Sequence, residues 1–247
     1  MNSNLVCNSD YDPVYICKNC QSFLFRFQDL EEIKSSKLEF YDREINIFSD
    51  GDLIQCDKCG TEVGVKSGGI ELYVNKITEV DNKIFSEYFQ EAIFAAGCFW
   101  GVEYHYKRLK GVIYTTVGYT GGEKSYPTYE EVKKGNTGHK EAVHILFDPE
   151  IITYEELIKV FFEIHDFTQM DGQGTDIGSQ YLSYIFYIDQ IQRKTAELYI
   201  KILREMGYKV ATRLEKATRF WKAEDYHQDY YDIRNEKPYC HIRRKIF

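Results

Sequence analysis

The chain has 247 residues, 43% hydrophobic and 16% aromatic, which supports a packed core and excludes disorder by composition. Its formal charge of −8 lacks the basic excess of a general nucleic-acid binder. No apolar run approaches the ~18 residues of a membrane span, and "MNSNLVCNSDYDPVY" has no signal-peptide pattern, so a cytoplasmic setting with reduced thiols is expected.

The first eighty residues hold five of the seven cysteines and no histidine. Cys17 and Cys20 form "CKNC", and Cys56 and Cys59 form "CDKC". Two short loops of this kind can each aim two sulfurs at one ion, and together they complete a closed, structural tetrahedral zinc site. The competing reading, a redox C-x-x-C, calls for one pair in an α/β setting, and here there are two. "LEEIKSSKLEFYDREINIFSDGD" separates the pairs by more than a compact ribbon needs and is expected to add strands or an excursion. Cys7 is left over. Residues 1–82 are therefore expected to form a small β-rich zinc-binding module, and residues 83–247 a second domain, with no Gly/Pro linker between them.

In the second region strands and helices alternate. "EAIFAAG" reads as a short buried strand, and "FWGVEYHYKRLKG" as a helix stopped by Gly111. "VIYTTVGYTGG" is a strand ending in glycines, and "TYEEVKKG" a short helix with Thr128 and Glu131 placed as a capping box. "KEAVHILFDPE" alternates and stops at Pro149, as a strand does. In "TYEELIKVFFEIHD", Leu157, Val160, Phe161 and Ile164 give one helical face, with Thr153 as cap. "YLSYIFYI" is a strand. "DQIQRKTAELYIKILREMG" is a longer helix with Ile191, Leu198, Ile202 and Met206 on one side, and "ATRLEKA" is a further strand candidate. This pattern predicts an α/β or α+β domain without giving the strand order. Arg243, Arg244 and Lys245 read as a solvated tail, and His105 and His241 as surface residues; His139, His144, His165 and His227 are expected to make structural hydrogen bonds.

Cys98 follows a strand and Gly97 and precedes a helix. A helix N-terminus favours the thiolate, so this position permits an activated nucleophile; a packing thiol fits it equally well. Phe99 and Trp100 adjoin the sulfur, and aromatic faces favour thioether and methyl groups. Glu141 in an apolar strand must be paired, protonated and useful, or at an exposed strand end.

"GCFWG", "GYTGG", "PTYEEV", "TGHKEAVHILFDP", "GTDIGSQYLS" and "AEDYHQDYY" together resemble the A-type peptide methionine sulfoxide reductase, from about Glu91 to Cys240. The resemblance implies a ferredoxin-like two-layer domain that reduces the S epimer of methionine sulfoxide in proteins and in the free amino acid. It implies Cys98 as nucleophile, Phe99 and Trp100 around the S-methyl group, and Glu141, Tyr129 and Tyr181 as donors to the sulfoxide oxygen. It implies Asp176 as a polar pocket residue and Cys240 as the thiol that converts a Cys98 sulfenic acid into a disulfide reduced by thioredoxin or another dithiol. No organic cofactor is called for; the partners implied are oxidised proteins and peptides and thioredoxin, with neither nucleic acid nor membrane. Many relatives carry Pro, Asn and Arg at Phe167, Asp171 and Gly172, and Arg at Leu182; they also continue past Cys240 to a third redox cysteine, absent here. "YICKNCQSFLF" and "IQCDKCGTEVG" resemble the zinc-holding halves of the B-type reductase, but "GGIELYVNKI" has no cysteine where that family carries its nucleophile. This absence argues against a reductase of both epimers. Intact Cys98, Glu141, Tyr129 and Tyr181 argue against an interaction protein on a worn reductase fold.

Metal analysis is expected to find one zinc per chain, retained in Cys98→Ser and lost when Cys17 and Cys56 are both replaced by serine. Iron, or no metal after gentle purification, would overturn the site.

Overall fold

A computed structural model describes residues 89–247 in full, together with short strands among residues 14–80. The chain divides into two compact units, one holding most of residues 1–88 and the other Phe89–Phe247. In the first, β1 (Val14–Cys17), β2 (Phe23–Arg26) and β7 (Ile77–Val80) form an antiparallel sheet in the order β2-β1-β7. A second antiparallel sheet runs β3 (Ile47–Asp50), β4 (Leu53–Cys56), β5 (Glu62–Val65), β6 (Glu71–Leu72). Cys17 closes β1 and Cys56 closes β4; Cys20, Cys59 and Cys7 lie outside the described residues.

The second unit starts with β8 (Gln90–Ala96), α1 (Phe99–Tyr106), β9 (Val112–Thr120) and α2 (Tyr129–Lys133). It continues through β10 (Lys140–Phe147), α3 (Tyr154–Glu163), a hairpin of β11 (Gly172–Gln173) and β12 (Asp176–Ile177), and a 3-10 turn over Ser179–Tyr181. It ends with β13 (Ser183–Tyr187), α4 (Gln190–Glu205), β14 (Arg213–Lys216), β15 (Trp221–Lys222) and α5 (Tyr230–Arg234). The sheet order is β14-β13-β8-β10-β9-β15, antiparallel except for the parallel β13–β14 pair. Its centre, β13-β8-β10-β9, is the ferredoxin-like split βαβ arrangement.

Strand periodicity divides the core. Ala92, Phe94 and Ala96 of β8 face one side with α1, α3 and α4; Ile93 and Ala95 face the other with Tyr184, Phe186 and Phe220. On the helix side, Phe94 packs against the rings of Tyr106, Tyr154 and Phe161, at 5.4, 5.9 and 5.2 Å between centroids. Val143, Ile145 and Phe147 of β10 belong to this face, and by the same alternation so does Glu141.

The capping boxes at Thr128 and Thr153 form, the second with Glu156. The α4 face differs from the expected one. Ile191, Leu198 and Met206 are exposed, whereas Gln192, Ala196, Tyr199, Ile200 and Leu203 are buried. The inner stripe combines Ile200 and Leu203 with Ala196, Tyr199 and the Gln192 amide, which donates to the Glu91 carbonyl at 2.6 Å, so the large aliphatic residues alone misplaced it. Met170, like Met206, is exposed, and the core clusters contain no methionine.

The C-terminal segment is docked although Arg243, Arg244 and Lys245 stay exposed, as expected of a solvated cluster. Glu163 of α3 holds Arg243 Nη2 at 2.8 Å, and its carbonyl accepts the Arg244 N–H at 2.7 Å. Phe247 meets the Tyr199 ring edge to face. Among the described residues, no helix is long and apolar enough to cross a membrane.

Phe94→Ala is expected to cost about 3–5 kcal/mol in urea unfolding of the protein, because the surrounding rings cannot close over the space. A loss under about 1 kcal/mol would show that the stack is not central to the core.

Candidate active site

Gly97 turns β8 into α1 with φ +93, a conformation that side chains disfavour. A Cβ there would also fall 2.6 Å from the Gln173 side chain. The turn leaves half-buried Cys98 as the N-cap of α1, where the Trp100 N–H favours the thiolate. Burial and the neighbouring Glu141 carboxylate outweigh it and push the Cys98 thiol well above its ordinary range. The resting thiol is therefore protonated, which corrects the expectation drawn from the helix end alone.

Glu141 is buried at the start of β10, paired across the ladder with Tyr119. The Phe99 N–H donates to Glu141 Oε2 at 3.1 Å, joining this carboxyl to the first turn of α1. Burial pushes the Glu141 pKa up to about 8; the Phe99 N–H opposes the rise and Asp176 adds to it. At neutral pH the group is an acid and a donor.

Tyr129 opens α2, and Tyr181 closes the 3-10 turn before β13. Both are half-buried. Burial, then the Glu141 charge, pushes Tyr129 up to about 12 and Tyr181 above its ordinary range, so both keep their O–H. Asp176, on β12, is raised by burial and acts electrostatically on Cys98, Glu141 and Tyr181. Gly172 lets its hairpin close, since a Cβ there would lie 2.1 Å from the Asp176 carbonyl oxygen. The structure thus gathers Cys98, Glu141, Tyr129, Tyr181 and Asp176 from five elements into one electrostatic neighbourhood.

The two rings after Cys98 have different roles. Phe99 is buried in the core against Tyr119. Trp100 is half-buried, lies flat on Tyr230 at 3.6 Å and 6°, and donates from Nε1 to His227 Nδ1 at 3.1 Å. His227 is therefore the Nε2–H tautomer when neutral, and burial lowers its pKa to about 4. Glu224 accepts the Tyr119 O–H and the Tyr129 N–H, both at 2.9 Å, which fixes α2 beside the site. Reading the sequence alone missed Glu224 and Tyr230, although both fall in "AEDYHQDYY". Asp229, with φ +55, donates its N–H to buried Glu103 at 2.9 Å, and Lys107 bridges Asp229 and Asp232; these contacts seat α5, and with it Tyr230, on α1.

Cys240 reaches the same neighbourhood from the far end of the chain. It is half-buried, neither it nor Cys98 is in a disulfide, and it acts electrostatically on Cys98, while both act on Tyr231. Burial, then Asp176, raises its thiol pKa. His241 is buried, not at the surface: one ring nitrogen, Nε2, lies 2.7 Å from the Ala96 carbonyl and the other, Nδ1, 3.0 Å from Cys240 Sγ. His105 is half-buried and bonds the His241 carbonyl at 2.8 Å. Phe167 is buried against Phe162 and Tyr208, and Leu182 packs on the opposite face of the sheet. Among the described residues, no cluster of His, Cys, Asp and Glu has a metal-binding arrangement.

Residues 90–247 match the family model for peptide methionine sulfoxide reductase. The peptide methionine sulfoxide reductase MsrA of Sulfolobus acidocaldarius is 50% identical over 152 residues, 61% of this chain and 86% of that one. Its counterpart in Methanosarcina mazei is 46% identical over 164 residues, 64% and 78% of the two chains. Reduced Mxr1 from Saccharomyces cerevisiae matches with a TM-score of 0.60 at 33% identity, covering 64% of this chain and 93% of that one. Methionine sulfoxide reductase A of Corynebacterium diphtheriae gives 0.54 at 34%, covering 60% and 76%.

Iodoacetamide is expected to label Cys98 slowly at neutral pH. At about pH 9, where Glu141 carries its charge, Glu141→Gln is expected to speed labelling, because a negative neighbour that opposes the thiolate is gone. Equal or slower labelling would show that Glu141 does not govern this thiol.

Proposed function

Because the chain belongs to the peptide methionine sulfoxide reductase family, we propose that it reduces methionine S-sulfoxide in proteins, and in the free amino acid, through Cys98. The observation that carries this reading is the Phe99 N–H bond that ties the turn carrying Cys98 to the buried Glu141 carboxyl, with Tyr129 and Tyr181 in the same electrostatic neighbourhood. A sulfoxide oxygen carries negative charge and needs donors, which Glu141, Tyr129 and Tyr181 supply. Trp100 gives the S-methyl group an aromatic wall, and buried Phe99 backs it.

The step balances at these residues. Glu141 gives its proton to the sulfoxide oxygen as the Cys98 sulfur attacks the sulfoxide sulfur. A bond between the two sulfurs forms as the substrate sulfur–oxygen bond breaks; the released hydroxide then adds to the Cys98 sulfur, the sulfur–sulfur bond breaks, methionine leaves, and Cys98 is a sulfenic acid. The thiol proton of Cys98 restores the acid form of Glu141. Substrate sulfur is reduced by two electrons and Cys98 oxidised by two. Cys240 then forms a disulfide with Cys98 and expels water, and thioredoxin or another dithiol reduces that bond.

Residues 1–82 are proposed as a separate module in which Cys17, Cys20, Cys56 and Cys59 hold zinc. The donor set fits: four soft sulfurs in two pairs, with one cysteine closing a strand in each sheet of that unit. Zinc there would supply a structural crosslink and no chemistry.

A stereospecific assay with dithiothreitol tests the reading. Turnover of the S epimer is expected, with none of the R epimer and none in Cys98→Ser. Cys240→Ser is expected to release about one methionine per chain and then stall with thioredoxin as sole reductant. Failure on the S epimer would refute the function; full thioredoxin recycling in Cys240→Ser would refute the role of Cys240.

A further inference from the structure

The imidazole of His241 lies between two glycines of the Cys98 turn. A Cβ on Gly101 would fall 2.2 Å from His241 Nδ1, and one on Gly97 would fall 3.6 Å from Nε2. The side chain therefore occupies space that only glycine at position 101 leaves open. Its hydrogen bonds fix its tautomer. The Ala96 carbonyl can only accept, so Nε2 at 2.7 Å carries the hydrogen. Nδ1 then presents a lone pair to Cys240 Sγ at 3.0 Å, and the thiol donates to it. One ring thus joins the residue two positions before Cys98 to the thiol that is to meet Cys98.

We propose that His241 is the catalytic base of the resolving step, taking the proton of Cys240 as that sulfur attacks the oxidised Cys98. The proposal rests on the reading of Cys240 as the resolving thiol. The sulfur–sulfur bond forms as the Cys98 sulfur–oxygen bond breaks. The departing hydroxide takes the Glu141 proton and leaves as water, and the proton on Nδ1 returns to Glu141 through solvent. Two sulfurs are joined and one water is released, with no outside oxidant. Burial makes the task necessary, since Cys240 is held above its ordinary range and would otherwise wait for hydroxide. Burial lowers the His241 pKa to about 4, which weakens the ring as a base but leaves it neutral, with the Nδ1 lone pair on Cys240, across the working range. The titratable groups around this pair are His105 on α1, His165 after α3, Asp176 on β12, Glu141 on β10, Tyr231 on α5, the adjacent Tyr239 and Cys98 itself.

The test mixes reduced full-length protein with one equivalent of methionine sulfoxide, quenches in acid, and follows methionine and the Cys98–Cys240 disulfide separately. In the native protein, disulfide formation from the sulfenic acid is expected to be nearly independent of pH between about pH 5 and 7, because neutral imidazole and protonated thiol coexist there. A rise of about tenfold per pH unit would mean attack by free thiolate and would overturn the proposal. His241→Gln keeps a donor for the Ala96 carbonyl and removes the base. It is expected to slow disulfide formation about a hundredfold relative to methionine release, to let dimedone trap the sulfenic acid, and to acquire the steep pH dependence. An unaltered rate and profile in His241→Gln would remove the role of His241 alone. Absence of any Cys98–Cys240 disulfide in the native protein would instead remove the resolving reading, and this inference with it.

Discussion

The hydrogen bond from the Phe99 N–H to Glu141 Oε2 ties the two halves of the site to the sheet. It joins the first turn of α1 to the start of β10, across 42 residues of chain. The carboxyl is on the helix-facing side because strand alternation puts it in line with Val143, Ile145 and Phe147. At so buried a position, holding the charged form would cost about 5 kcal/mol relative to water, so the proton stays. The contact sets the helix position, while burial, against the pull of the Phe99 N–H, keeps Glu141 in its acid form and Cys98 protonated. An uncharged site is a sensible resting state for an enzyme of this family. It stores both protons of the reaction and offers a poor target to indiscriminate electrophiles.

Local signals were legible in the sequence where one residue decides the structure. Thr128 and Thr153 announce their helices, Pro149 ends β10, and Gly97 permits the turn that places Cys98 at the start of α1. The six-motif resemblance named site residues that the fold brings together around Cys98. What the sequence concealed depended on contacts between distant segments. Ile191, Leu198 and Met206 looked like an inner face, but the sheet selected Ala196, Tyr199, Ile200 and Leu203. The docking of Arg243 was hidden because its partner, Glu163, stands 80 residues away. His241 looked superficial because nothing local reveals that Gly101 has made room for its ring. The helix-end argument for Cys98 named a real force and missed the larger one, since burial is a property of the whole fold.

The last residues are a second anchor for the site rather than a trailing end. Arg243 and the Arg244 N–H fasten to Glu163, and His105 holds the His241 carbonyl. Cys240 is thereby held in the electrostatic neighbourhood of Cys98, which would reduce the entropy to be lost in the disulfide proposed between them. The seating of α5 works in the same way for Tyr230 and Trp100: buried Glu103 and the Lys107 bridge make the aromatic wall part of the fold.

The core of this unit is packed with phenylalanine, tyrosine and branched aliphatics, and its two described methionines stand at the surface. Met170 is 81% and Met206 is 52% exposed. Oxidation turns a flexible apolar thioether into a bulkier polar group, which damages a core and is nearly harmless in water. A unit built this way offers no thioether in its described core to the oxidant that creates its work. Its own lesions form where another copy can reach them, so the repair machine is itself repairable.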